Sequence, residues 1–183
     1  MMRGVTLLAL ARAAVAETLD GPQVQVPSEP WLAEPGACFV TLRKGGELRG
    51  CIGSIEAHRS LGEDLVQNAR NAAHNDPRFS PLQRNELDLV RFEVSLLTPL
   101  ERLEVHSREE ALEKLRPGVD GLLLQWGTHR GVFIPKMWQQ LPKPEEFLGF
   151  LLRKAGLPSK EWRSGTRLWR FSAQDWAEPE LRN

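Results

Sequence analysis

Cys51 stands two residues after Arg49 in LRGCIGS (48–54), with Gly50 and Gly53 around it. A cysteine acts as nucleophile or metal ligand through its thiolate. An arginine two positions back in an extended strand projects from the same face and supplies the positive charge that such chemistry uses. The glycines leave room for a ligand to approach the backbone. The competing account is packing, since cysteine is among the most buried residue types and glycines permit strands to cross closely. Asp76 and Arg78 follow a helix end in NAAHNDPRF (71–79). The arginine offers a planar fork to a carboxylate or phosphate, and its pairing with Asp76 equally well fixes the loop. His74 becomes a general base for Cys51 if the helix end approaches the hairpin; otherwise it shares a solvated helix face with Asn71 and Asn75. Candidate site residues are therefore Cys51 as catalytic group, with Arg49, His74, Asp76 and Arg78 as ligand contacts. No pair of histidines has the i, i+4 spacing of a metal site, and His58, His106 and His129 fall in or beside turns, so no metal is expected. With no GxGxxG, Walker, G-x-S-x-G or HExxH pattern, the sequence leaves any cofactor unknown.

The elements that position these residues follow from periodicity and punctuation. ACFVTLRKGGELRGCIGSI reads as a hairpin around Lys44-Gly45-Gly46. A two-residue Gly-Gly turn would set Val40 and Leu42 beside Cys51 and Arg49. A three-residue loop pairs Leu42 with Leu48 and Arg43 with Glu47, which keeps apolar with apolar and is the register we expect. It puts Cys38, Val40, Leu42, Leu48 and Ile52 on the core face, and Phe39, Thr41, Arg43, Arg49 and Cys51 on the other. No disulfide between Cys38 and Cys51 is then expected, and Cys51 is expected to be the more reactive thiol. Ser60 with Glu63 forms a capping box that opens a helix whose stripe is Leu61, Leu65, Ala69, Ala72 and Ala73; Asp76-Pro77 ends it. LDLVRFEVSLL alternates as a strand, and Leu103 with Val105 marks a short one after Pro99. Ser107 with Glu110 is a second capping box, and the helix it opens stops near Pro117-Gly118. GLLLQWGTHRGVFIP is a second hairpin, turning within Gly127 to Gly131. A helix begins at Pro144 and closes at Arg153, Lys154 and Gly156. RLWRF is the last strand. Hairpin, helix and strand thus occur in that order twice, around 38–97 and 121–172, without a residue-level repeat. Five of the six tryptophans lie in the second half and read as packing.

The first residues, MMRGVTLLALARAAVAE, carry a basic residue, an apolar stretch and an A-x-A-like end, as a signal peptide does. Arg12 interrupts that stretch, and Leu7, Leu8, Ala11, Val15 and Leu19 recur at helical spacing, so the segment is read as an amphipathic helix stopped by Gly21-Pro22. Residues 21–36, with four prolines, read as an irregular connection. No apolar run reaches the roughly 20 residues of a membrane span. Twenty-four basic and 24 acidic residues leave no net charge among 183, which argues against nucleic acid or anionic lipid as a partner. Two cysteines outside any CxxC suit a reducing, cytoplasmic setting. The composition is that of a single α+β domain needing no staple.

LRGCIGS (48–54), NAAHNDPRF (71–79) and RKAGLP (153–158) resemble the hallmark segments of the AMMECR domain family. FVTLRKGGELRGCIGSI, FEVSLL, DGLLLQWG and EEFLGFLLRKAGLP follow in that family's order, over nearly the whole chain. The resemblance implies an α+β fold with mixed or antiparallel sheets, packed helices and two unequal lobes, about 1–117 and 118–183, within one domain. Prokaryotic members resemble protein A of the AmmeMemoRadiSam set, which implies a Memo-like protein and a radical-SAM protein as partners. It implies no defined reaction. Ile134-Pro135-Lys136 stands where the family carries Leu-Pro-Gln, so no role passes to position 136. Two functions follow as expectations: an enzyme or enzyme component with a cleft at Cys51 for a small anionic or redox-active metabolite, and a non-catalytic adaptor that docks those partners through the LRGCIG strand. In the first, Arg49, Cys51 and the Asp76 to Phe79 turn border one concave surface.

Overall fold

A computed structural model describes residues 2–180. The fold is α+β, as the sequence implies, with two antiparallel four-stranded sheets and packed helices. The chain divides into two compact units. One runs to Leu97 and resumes at Gln174; the other is Thr98–Ala173. Among the described residues no helix is long and apolar enough to cross a membrane.

In the first unit, α1 (Met2–Glu17) buries Leu7, Leu10, Ala11, Ala14 and Val15. The turn that closes the helix comes before Gly21: Asp20 takes the left-handed conformation (φ 64°), and Gly21 N–H returns to the Ala16 carbonyl at 2.9 Å. Arg12 is held by both oxygens of Glu178 (2.8 and 2.6 Å) and by the Leu87 and Val90 carbonyls. The connection at 21–36 contains one turn of helix, α2 (Pro30–Ala33). β1 (Cys38–Lys44) and β2 (Glu47–Gly53) form the expected hairpin. α3 (Leu61–His74) starts at the predicted Ser60–Glu63 capping box and buries the predicted stripe. A 3₁₀ segment (Arg84–Leu89), β3 (Val90–Leu97) and the closing β8 (Ala173–Ala177) complete the sheet in the order β2-β1-β3-β8. RLWRF is therefore followed by a further strand.

The hairpin register differs from expectation. Gly45 and Gly46 both have positive φ (58° and 82°) and form a two-residue turn, pairing Lys44 with Glu47 and Arg43 with Leu48. Arg49 is then an extra residue. A bulge shifts the pairing so that Leu42 meets Gly50, Thr41 meets Cys51 and Val40 meets Ile52. The bulge satisfies both constraints that the sequence sets against each other, because the tight Gly-Gly turn is kept and Ile52 still joins Val40 and Leu42. Near the turn Leu48 and Glu47 both leave their expected partners and lie opposite Arg43 and Lys44. Gly50 falls where α3 crosses; a Cβ there would stand 2.1 Å from the Ala72 carbonyl oxygen.

In the second unit, β4 (Glu101–Leu103), α4 (Arg108–Lys114), β5 (Gly121–Trp126), β6 (His129–Phe133), α5 (Pro144–Lys154) and β7 (Arg167–Phe171) give the order β4-β7-β5-β6. Ser107 caps Glu110 N–H, while Glu110 reaches back to His106 N–H instead of Ser107. The core joins Leu122, Leu124, Phe133, Phe147 and Leu168, with Trp138 stacked on Phe147 at 3.9 Å. Each unit thus repeats one plan. Its hairpin is followed by a helix, and a strand then returns to pair with the first hairpin strand, β3 with β1 and β7 with β5. Gly131 on β6 matches Gly50 on β2, since α5 backbone and Ala155 would meet its Cβ at 3.0–3.1 Å.

Candidate functional site

Cys51 is half-buried and free on the outer strand of its sheet. Its sulfur accepts the Thr41 hydroxyl at 3.2 Å from the directly opposed residue of β1. Thr41 in turn lies opposite Glu93 of β3, so Cys51, Thr41 and Glu93 form one row across three strands. Glu93 is bound by Arg43 Nε at 3.1 Å and Arg91 Nη1 at 3.4 Å. Ser95, in the next row, hydrogen-bonds Asp175 of β8. Thr41, Glu93 and Ser95 are all buried, making this sheet face a polar layer. Sequence reasoning put Thr41 and Arg43 beside Cys51 but missed Glu93. Its signal was the polar set Arg91, Glu93 and Ser95 alternating with Val90, Phe92 and Val94.

The turn after α3 reaches the Cys51 backbone. Asp76 Oδ2 accepts Cys51 N–H at 2.9 Å, and Asp76 is held by Arg78 through Nε–Oδ1 (3.0 Å), Nη2–Oδ2 (2.7 Å) and its backbone N–H (3.1 Å). Arg78 Nη2 also donates to the Cys51 carbonyl at 3.4 Å. The Arg78 hydrogen bonds, followed by the Cys51 N–H, hold the Asp76 carboxyl down at about 2 against the opposing effect of burial. The same pairing raises Arg78. The Asp76 side chain is 2% exposed and that of Arg78 54%, so the carboxylate is structural and the guanidinium faces water. Among the described residues Arg78 Nη1 has no hydrogen-bond partner.

Arg49 and His74 are engaged elsewhere. Arg49 grips Glu86 with Nε and Nη2 (3.1 and 3.0 Å) and the Ser80 carbonyl with Nη1 (2.9 Å). Lys44 adds a third bond to Glu86, whose carboxyl is held at about 2 by Arg49 first and Lys44 second. The charge expected to serve Cys51 is thereby neutralised. His74 Nε2 lies 2.6 Å from the Thr18 hydroxyl, and burial with the nearby Arg49 lowers its pKa. No hydrogen bond joins His74 or Arg49 to Cys51 among the described residues. The five candidates therefore form two groups: Cys51 with Asp76 and Arg78, and Arg49 with His74, the arginine held by Glu86.

A second buried network surrounds Cys38. Asp64 accepts Cys38 N–H (3.0 Å), Ser54 Oγ (2.6 Å), Arg59 Nε (2.9 Å) and Asn68 Nδ2 (2.9 Å), with the Cys38 thiol at 3.5 Å. Burial first and the Asp64 charge second raise the Cys38 thiol well above its ordinary value. This thiol is locked as a donor. Among the described residues no three His, Cys, Asp or Glu side chains come together as metal ligands. An open groove of about 490 Å³ lies away from Cys51, between Val26, Pro30, Leu32 and the Ser60–Glu63 turn.

Known proteins resemble this chain over nearly its full length. A protein of Thermofilum pendens is 40% identical, aligned over 96% of this chain and 89% of its own. Protein MJ0810 of Methanocaldococcus jannaschii is 39% identical over 98% and 92%. The crystal structure of the uncharacterized protein PH0010 from Pyrococcus horikoshii superposes with a TM-score of 0.88 at 36% identity, covering 96% of this chain and 91% of that one. Residues 8–176, from within α1 into β8, match the AMMECR1 family model, and this chain belongs to the AMMECR1 family.

Proposed function

We propose that the Cys51 face binds a small anionic metabolite and that this chain is the ligand-handling component of a system containing a Memo-like and a radical-SAM protein. The observation that carries the binding site is Arg78. Its guanidinium is anchored to the Asp76 carboxylate and the Cys51 carbonyl, yet its side chain is 54% exposed and Nη1 has no partner among the described residues. With Nε and Nη2 already engaged, the Nη1 N–H groups of this anchored guanidinium offer donors to a carboxylate or phosphate with little ordering of their own. Thr41 aims its hydroxyl at the sulfur, so a ligand seated on Arg78 meets an oriented Sγ. The partner assignment rests on family resemblance. The adaptor reading needs the β2 edge as a docking strand, and the bonds of Asp76 and Arg78 to the Cys51 peptide oppose it.

The test is affinity purification of wild type, Cys51→Ala and Arg78→Gln, followed by metabolite mass spectrometry and identification of co-purified proteins. Ligand binding predicts a small anion retained by wild type and lost from both variants. Memo-like and radical-SAM proteins retained by all three, with no small molecule on any, would establish the adaptor instead.

A further inference from the structure

β2 is the outer strand of its sheet, so one side of its backbone has no strand neighbour. The N–H and C=O of Cys51 lie on that side. Ser54 N–H bonds the Cys38 carbonyl at 3.1 Å, and in antiparallel pairing alternate residues turn both groups toward the partner or both away. An open edge of this kind invites another strand. Here the two outward groups are both taken, the N–H by Asp76 Oδ2 and the carbonyl by Arg78 Nη2. A side-chain ion pair thus supplies, one acceptor and one donor, what a neighbouring strand would supply.

The second unit shows what edge cover alone requires. β6 is the outer strand there, and Val132 follows Gly131 as Cys51 follows Gly50. Lys154, from the last turn of α5, donates to the Val132 carbonyl at 2.8 Å. Among the described residues, the Val132 carbonyl is covered by an exposed cation. The first unit adds a buried carboxylate on the N–H, with three bonds from Arg78 fixing the carboxylate itself. Burying a charge so completely is expensive unless it is paired, and Arg78 pairs this one while fixing its direction toward Cys51 N–H.

We infer that Asp76 is a positioning residue: with Arg78 it replaces the missing strand at Cys51, fixes that peptide and therefore the sulfur, and closes the β2 edge to strand addition. The consequence for the sulfur rests on the function proposed above; the edge closure does not.

The experiment is amide hydrogen exchange by NMR on the full chain at neutral pH, with iodoacetamide labelling of Cys51 as a second readout. In wild type the Cys51 amide is slow, like the laddered Ile52. In Asp76→Ala it speeds up about 10-fold or more, as loss of a charge-assisted bond implies, while Val40 and Ile52 keep their rates. Labelling of Cys51 rises by about 3-fold, and Asp76→Asn, which retains an acceptor, restores most of both effects. If Asp76→Ala does not fold, Arg78→Gln carries the test, because its side chain is largely in water and its loss frees the carboxylate. A wild-type Cys51 amide exchanging at the free-chain rate, or all hairpin amides accelerating together, would overturn the edge closure. Faster exchange with unchanged labelling would overturn the positioning role. Neither result depends on whether Cys51→Ala loses a metabolite, which tests the binding reading separately.

Discussion

Gly50 is where a single methyl group meets the least forgiving neighbour. Its Cβ would stand 2.1 Å from the Ala72 carbonyl oxygen and 3.1 Å from the carbonyl carbon, on a helix whose other side is packed in the core. Ordinary contact begins near 3.4 Å, so β2 and α3 must separate by about 1 Å for Gly50→Ala to fit. Overpacking of a well-filled site costs about 1–3 kcal/mol, and the obstacle here is helix backbone, so the upper end applies. The stiffer unfolded chain returns only about 0.4–1 kcal/mol. A net loss of about 2–3 kcal/mol lowers Tm by roughly 4–12 °C in a chain of this length. Gly131→Ala is the internal control. There the contacts are 3.0–3.1 Å, with Leu151 O and Ala155, and a shift of a few tenths of an ångström relieves them, for a loss near 1 kcal/mol. Gly45→Ala meets nothing within 4 Å, and only its φ of 58° is unfavourable, again about 1 kcal/mol. Urea unfolding of the three variants by circular dichroism decides the matter. Gly50→Ala within 0.5 kcal/mol of wild type, or Gly131→Ala losing more than Gly50→Ala, would show that the β2–α3 approach is not as close as described.

Further expectations concern charge and thiols. Native-state alkylation at neutral pH labels Cys51 before Cys38, because Cys38 is fully buried and its thiol is raised; equal labelling after denaturation is the control, and Cys38 reacting first would overturn the network drawn around Asp64. Asp76 and Glu86 both titrate near 2 in the fold, below their unfolded values of about 4. The stability they contribute is complete above about pH 5 and is lost as pH falls through 4 toward 2. Arg49→Met should flatten that loss, as read from urea midpoints at pH 6 and pH 3; an unchanged slope would deny Arg49 its hold on Glu86. Asp120 is fully buried and takes Arg116 through its backbone N–H (2.9 Å), Nε (2.9 Å) and Nη2 (2.6 Å), so Asp120→Ala should cost the second unit about 2–3 kcal/mol. A calorimetric trace identical to wild type would refute it.

What could be read from the residues divides by sequence distance. The α3 capping box, its apolar stripe and the end at Asp76-Pro77 are local patterns within 17 residues, and each is present as expected. The two hairpins and the strand at 90–97 are local as well. β8 was missed because Ala173–Ala177 has neither strong alternation nor β-branched residues. Its place beside β3 is secured from outside, by Glu178 bonding Phe92 N–H at 2.9 Å and Arg12 bonding Glu178. Leu87–Leu89, the end of the 3₁₀ segment Arg84–Leu89, were read as the start of a strand because they run without a break into the alternation of β3.

The site follows the same rule, and the bulge at Arg49 shows why. Period-2 reasoning places Arg49 on the Cys51 face, and it holds only while every residue is paired. Nothing local marks Arg49 as the unpaired one. What draws it out is Glu86, 37 residues away, with Lys44 of the same hairpin converging on the same carboxylate. That leaves Cys51 without its expected arginine. The vacancy is taken by Arg78, 27 residues away, which reaches the cysteine backbone through Asp76. LRGCIGS and NDPRF therefore belong together because the second segment completes the hydrogen bonding of the first. The residue types were legible in each, and the exchange of one arginine for another required the fold.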